Sequence, residues 1–311
     1  MPPRTTDAAA PAAAARPRRR GRTGGAAPYW QAAPMALVFF LFFVLPLVVV
    51  LVVSFWKYNS YSITPAFILD NYTGVFDGCL VSLPSLCTTF ATYLSTIKFC
   101  LIVWAVTLVV GFTIAYFLAF HVRTTAMQIV LALICIIPFW TSNVIRMISW
   151  IPLLGRNGLI NQMLVGSGLV SHPVEWLLYS DFAVALAFVH LLTAFMLVPI
   201  LNSMMRIDRS LIEAARDAGA SGAQVLWNVV IPLSKTGIAI GSIFVITLVM
   251  GDFITIGVMG GQQIASVGKV INVETGYLQF PLAAANAVVL LVAVLGIIFA
   301  LTRFIDIRKE L

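Results

Sequence analysis

LIEAARDAGASGAQVLWNVVIPLSK, residues 211–235, is a charged stretch set between two apolar runs of membrane length. Ser210 with Glu213, and Ser221 with Gln224, have the spacing of two successive capping boxes, which predicts two short helices. Gly219 falls where the first helix needs a left-handed residue to end. Pro232 stops the second, because it lacks an N–H and its ring clashes with the preceding turn. Helical periodicity places Leu211, Ile212 and Ala215 on one face of the first helix, with Glu213, Arg216 and Asp217 on another. On the second, Val225, Leu226, Val229 and Val230 form an apolar stripe.

Outward from this stretch the chain turns apolar. Of 311 residues 60% are hydrophobic and 10% charged, and the mean hydropathy is +0.99; soluble domains carry about 25% charged residues. A bilayer core of roughly 30 Å takes about 20 apolar residues as helix. Six segments meet that length: 35–55, 99–120, 127–152, 182–205, 238–258 and 282–302. The expected fold class is therefore all-α, a polytopic membrane protein with six transmembrane helices. Six spans put both termini on one side, and 14 of the 19 Lys and Arg residues fall there, with Lys57, Lys98, Arg146, Arg156 and Lys269 on the other. The positive-inside rule makes the richer side cytoplasmic, the loop at 211–235 included.

The net charge of +7 does not point to nucleic acid. Residues 1–30, rich in Ala, Pro and Arg, read as a disordered cytoplasmic tail, and its arginines at 16–22 suit anionic lipid headgroups or simply fix topology. The following apolar segment is long enough to span, and no small-residue cleavage site follows it, which argues against a cleaved signal peptide.

Glu213, Ala214, Ala215, Gly219, Val229, Ile231 and Pro232 resemble, in identity and spacing, the EAA signature of permeases of binding-protein-dependent ABC importers. Val229 and Ile231 stand where isoleucine and leucine are usual. The resemblance implies a type I importer (MetI-like) transmembrane domain over residues 31–311, with a cytoplasmic coupling loop at 207–235 and an outer loop at 58–98. In that family the loop lies in a groove of the ATP-binding subunit. Glu213, Ala214, Ala215, Arg216, Asp217, Gly219 and Pro232 are accordingly the expected coupling residues. The implied partners are an ATP-binding subunit dimer, a second permease subunit expected to be a different polypeptide, an external solute-binding protein and membrane lipid. The implied location is the bacterial inner membrane, with both termini cytoplasmic. Phe67–Tyr72 (FILDNY), PFWTSNVIR at 138–146 and GDFITIGVMGG at 251–261 are similar to the spermidine/putrescine branch. Branches importing iron, thiamine, phosphonate, sulfate or opines share parts of them, so those substrates stay open.

No Cys/His spacing suggests a metal, no glycine-rich phosphate loop or nucleophile–base pattern occurs, and neither a cofactor nor a catalytic residue is expected. Cys100 and Cys135 fall inside spans as small apolar residues. Cys79 and Cys87 share the outer loop, an oxidising setting in a bacterium, and are a candidate disulfide.

Substrate-path candidates are sought among polar residues in the spans, since a charge in the bilayer costs several kcal/mol unless it faces a cavity or partner. At about 1.5 Å per residue, Asp252 lies roughly 21 Å from the inner end of the fifth span, Arg146 roughly 28 Å along the third, and His190 roughly 12 Å below the outer end of the fourth. All three fall in the outer half. Asp252 could attract an ammonium group, with Trp140, Trp150 and Tyr179 offering cation–π faces. Each has a plainer role: Arg146 can snorkel or pair with a loop carboxylate, His190 can hydrogen-bond between helices, and Arg146 can pair with Asp252 as a gate. Pro46, Pro138, Pro199, Gly111 and Gly296 read as kinks or close-packing points, with Pro138 a candidate hinge. An ATPase-independent channel or secondary carrier would show inverted repeats or a chain of intramembrane acids. A membrane enzyme would need a catalytic pair, and His190 and Asp252 stand isolated in the sequence.

Overall fold

The computed structural model describes residues 27–59, 62–76 and 88–304. The candidate disulfide partners Cys79 and Cys87, and residues 1–26 of the N-terminal tail, lie outside them. The chain divides into two compact units, residues 1–48 and 49–311.

The first unit contributes α1 (Ala27–Phe39), a π turn at Phe40–Val44 and the start of α2 (Leu45–Val53). Leu45 donates its N–H to Phe40 five residues back, immediately before Pro46, which has none to give. A widened turn just ahead of a proline relieves the clash between its ring and the carbonyl four residues earlier.

In the second unit, β1 (Lys57–Asn59) and β2 (Ser62–Thr64) pair antiparallel with Tyr58 opposite Ile63. A short α3 (Asp70–Val75) follows. Asn71 donates to the carbonyls of Ser54 and Trp56, both at 2.8 Å, and Phe67 stacks on Phe55 at 4.8 Å. The FILDNY segment therefore caps the end of the α2 chain. The core is three helices, the first being α4 (Thr88–Phe120) and the others the long helices that begin at Asp181 and Lys235. Between them run α5 (Thr125–Ile136), a 3-10 turn at Ile137–Trp140, α6 (Asn143–Ile148), α7 (Ile151–Leu154) and α8 (Leu159–Gly166). Then come α9 (Asp181–Met204), α10 (Arg209–Asp217), α11 (Gly222–Val225), a second π turn at Leu226–Val230, α12 (Ile231–Leu233) and α13 (Lys235–Gly251). The chain closes with α14 (Ile254–Met259), α15 (Val267–Gly276) and α16 (Phe280–Phe304).

Phe99 and Val103 of α4, Phe188, Met196 and Ile200 of α9, and Val245 and Val249 of α13 are buried together. Small residues let the backbones approach, which is how helices gain contact where lipid offers no hydrophobic drive. A Cβ on Gly237 of α13 would lie 2.5 Å from the Pro199 carbonyl of α9, and one on Gly111 of α4 would lie 3.2 Å from the Leu197 nitrogen. Gly296 meets nothing within 4 Å and has no such role among the described residues. Trp104 donates to Ser242 at 2.8 Å, pinning α4 to α13.

Four helices are long and apolar enough to cross a membrane, Gln31–Val53, Thr89–Phe120, Glu175–Met204 and Phe280–Arg303; two bent pairs bring the total to six if each is one span. The expected third span, 127–152, is not one straight helix. Thr125–Trp140 and Asn143–Gly166 meet at 93°, because Pro138 tightens the helix to a 3-10 turn and Thr141 then goes extended. Pro138 is thus at a break, and the 28 Å reckoned for Arg146 along a continuous helix does not hold. The fifth span also stops early, at Gly251, and restarts as α14 after Asp252 and Phe253.

Candidate functional site

The stretch at 211–235 folds as a two-helix elbow. Asp208, rather than Ser210, caps α10: its Oδ1 accepts the Ser210 N–H at 3.0 Å. That bond holds the Asp208 carboxyl below its ordinary value, through the Ser210 backbone first and its side chain second. The helix ends on Gly219, whose φ is +85°. Gly219 N–H reaches the Arg216 carbonyl at 2.8 Å, and Ala220 N–H the Ala215 carbonyl at 3.0 Å, the paired bonds of a Schellman motif. The second capping box forms in full: Ser221 Oγ accepts from Gln224 N–H at 3.3 Å, and Gln224 Oε1 from Ser221 N–H at 2.7 Å.

Pro232 does not stop this helix where it stands. Ile231 donates to Leu226 across the π turn, the device seen at Pro46, and the helix runs on to Leu233. There the chain bends by 67° into α13. Val225 and Val230 are buried, and Leu226, Val229, Ile212, Ala215 and Ala220 pack against the core. Glu213, Ala214, Arg216 and Asp217 are exposed together. Leu211, expected on the packed face, is 49% exposed; it lines an open cleft of about 670 Å³ with Asn202, Arg206, Asp208 and Leu233. Arg209 reaches the Ala119 carbonyl at 3.5 Å, tying the elbow to the last turn of α4.

A second group of candidates gathers where α6 packs against α9 and α14. Trp150 Nε1 donates to His190 Nδ1 at 3.1 Å, with the rings edge-to-face at 5.7 Å. The accepting Nδ1 leaves the imidazole proton on Nε2. Arg146 is 7% exposed; it bonds the Asn143 side-chain oxygen, and its Nε has no hydrogen-bond partner among the described residues. Asp252 is half-buried, and its Oδ1 accepts the Thr255 N–H at 2.7 Å, holding the first turn of α14. Arg146 and Asp252 do not form the gate pair: the ion pairs among the described residues are Lys98–Asp181 and Arg156–Glu175. Trp140 stands apart at 85% exposure, and the Tyr179 ring lies against Gly261.

No family profile matches the chain. It is similar to the spermidine/putrescine transport system permease protein PotB of Escherichia coli (strain K12), 31% identical over 248 residues that cover 79% of this chain and 86% of that one. The chain belongs to the ABC importer permeases. The permease is also 29% identical, over 74% of its length and 77% of the relative's, to PotB of Haemophilus influenzae. Its fold matches a crystallised bacterial alginate ABC transporter in complex with an alginate pentasaccharide-bound periplasmic protein: TM-score 0.66, 16% identity, 89% of this chain and 93% of that one covered.

Two features of the permease escaped the sequence reading. Asp208 carried a usable signal, an Asp just ahead of an amphipathic run, but Ser210 with Glu213 competed for the same cap. Glu274 and Asn286 were invisible for a different reason. They are 12 residues apart on separate helices, and Asn286 Nδ2 donates to both Glu274 oxygens at 2.9 and 3.0 Å. Burial raises the Glu274 carboxyl above its ordinary value, and the Asn286 bond partly opposes this.

Proposed function

We propose that this chain is the transmembrane permease subunit of an ATP-driven importer of polyamines, of which spermidine and putrescine are the first candidates. The observation that carries the reading is the 31% identity to a spermidine/putrescine permease over 79% of the chain. In this reading it sits in the bacterial inner membrane as a multi-pass protein, with the basic-rich side and both termini cytoplasmic. Residues 1–30 are its cytoplasmic tail, and residues 31–311 form the permease domain. ATP is hydrolysed by a separate subunit dimer, against which the exposed face of Glu213, Ala214, Arg216 and Asp217 docks. Ala215 packs that helix to the bundle, Gly219 turns the chain, and Pro232 stands just ahead of the bend into α13. A stroke delivered to this elbow passes directly to α13, and through Arg209 to α4. A second permease subunit completes the path, and an external binding protein delivers the solute.

The Trp150–His190 pair and the helix break at Asp252 are the proposed wall of that path. A second reading, an anionic solute in the same importer family, rests on Arg146, a buried charge that would repel an ammonium group. Uptake separates the two. Proteoliposomes holding the importer should accumulate labelled spermidine or putrescine only with internal ATP, and unlabelled sulfate or phosphonate should not compete. ATP-dependent accumulation of labelled sulfate or phosphonate, with none of labelled polyamine, would overturn the first reading in favour of the second.

A further inference from the structure

Some 40 Å along α4 from the elbow's attachment at Ala119, at about 1.5 Å per residue, the far end of the bundle holds a separate, partly open cavity of about 180 Å³. It lies between α3, α4, α15 and α16. Its polar wall holds the Glu274 carboxylate, the Asn286 amide and the Tyr93 hydroxyl; its apolar wall includes Val75, Val270 and Leu282. Asn286 is 5% exposed. Tyr93 Oη is buried and has no hydrogen-bond partner among the described residues. A buried phenol whose hydroxyl has no partner, in the same cavity as a carboxylate, costs free energy unless something fills the gap.

Among the described residues no Lys, Arg or His lines this cavity. Glu274 and Val270 also line an adjoining cleft of about 320 Å³, where Lys269 is found. The Lys269 ammonium turns instead toward Gly257, 3.5 Å from where a Cβ there would sit, and makes no ion pair among the described residues. Asn286 supplies one donor to each Glu274 oxygen. An ionised carboxylate has about four acceptor positions, so half are open among the described residues. The wall therefore offers negative charge, spare acceptors and apolar sides. The volume suits an ammonium head on a short alkyl stem, since a water takes about 30 Å³.

We propose that this cavity is a binding site for a primary alkylammonium group, with Glu274 and Tyr93 Oη accepting its N–H bonds and the valine and leucine side chains flanking its methylenes. The site rests on the polyamine reading and adds to it an amine-holding station at the end of the bundle opposite the elbow.

The test uses the full-length chain within its importer complex in lipid nanodiscs, without soluble binding protein, and labelled 1,4-diaminobutane as probe. Wild type should bind saturably. Glu274→Gln, which keeps an acceptor for Asn286 but removes the charge, and Tyr93→Phe, which removes only the unpartnered oxygen, should each weaken binding tenfold or more. Tyr93→Phe should leave the thermal midpoint at or above that of wild type, which a structural role for the hydroxyl would not. The site stands only if all of these hold, and any other result overturns it. ATP-driven spermidine uptake is measured in parallel. Uptake without binding here removes the site and leaves the function, and binding without uptake removes the function and leaves the site.

Discussion

Asp252 holds the first turn of α14 with its carboxylate, so removing its charge and removing its oxygens are separate experiments. Asparagine caps a helix about as well as aspartate, and alanine forfeits about 1 kcal/mol. Asp252→Asn should therefore keep both thermal stability and uptake near wild type, while Asp252→Ala lowers both. Loss of uptake in the asparagine variant with unchanged melting would show that the charge itself meets the solute. Glu274 is the complementary case. Its carboxyl is raised by burial, so the folded state binds that proton more tightly than the unfolded chain. The linked stability is fully present below the ordinary carboxylate range and is lost as pH rises through the elevated value. Melting curves from acid to neutral pH should fall less steeply for Glu274→Gln than for wild type; equal slopes would mean the group is not strained by burial.

The elbow is an element whose parts can be weakened one at a time. Ser221→Ala removes the oxygen that receives the Gln224 N–H and should cost about 1 kcal/mol of local helix stability. Gly219→Leu forces a side chain into a left-handed backbone, at roughly 1–2 kcal/mol. Both should speed amide exchange across 222–233 and reduce solute-stimulated ATP hydrolysis, with the helical bundle still folded; unchanged exchange would deny that these caps hold the elbow. The same element shows what a sequence discloses. Gly219 and the Ser221–Gln224 box are local, with both partners within four residues, and they were legible. So were the spans Asp181–Met204 and Phe280–Phe304, because hydropathy needs no neighbour. The right angle after Trp140 was not, since hydropathy runs unbroken through Pro138 and a proline inside a membrane helix does not by itself say kink or break. The cavity around Glu274 depends on α3, α4, α15 and α16 meeting, and no spacing in the chain encodes that. Leu211 was misplaced because periodicity reports a shared face but not how much of it the bundle covers.

At the scale of the whole molecule, the elbow is proposed to work as a lever. An exposed helix face at one end is joined through a capped turn and a 67° bend to α13, which packs on both α9 and α4, while the cavity at Glu274 lies at the far end of α4. The fold is that of importer permeases, and a motor bound elsewhere would leave this joint without a purpose. The direct test is site-directed cross-linking of the assembled importer, with cysteine introduced at Arg216 and a partner cysteine scanned across the groove of the ATP-binding subunit. The account predicts a disulfide adduct that forms readily and blocks solute-stimulated ATP hydrolysis until reduced; a complex that hydrolyses ATP and transports solute while no position in the groove ever cross-links to residue 216 would contradict it.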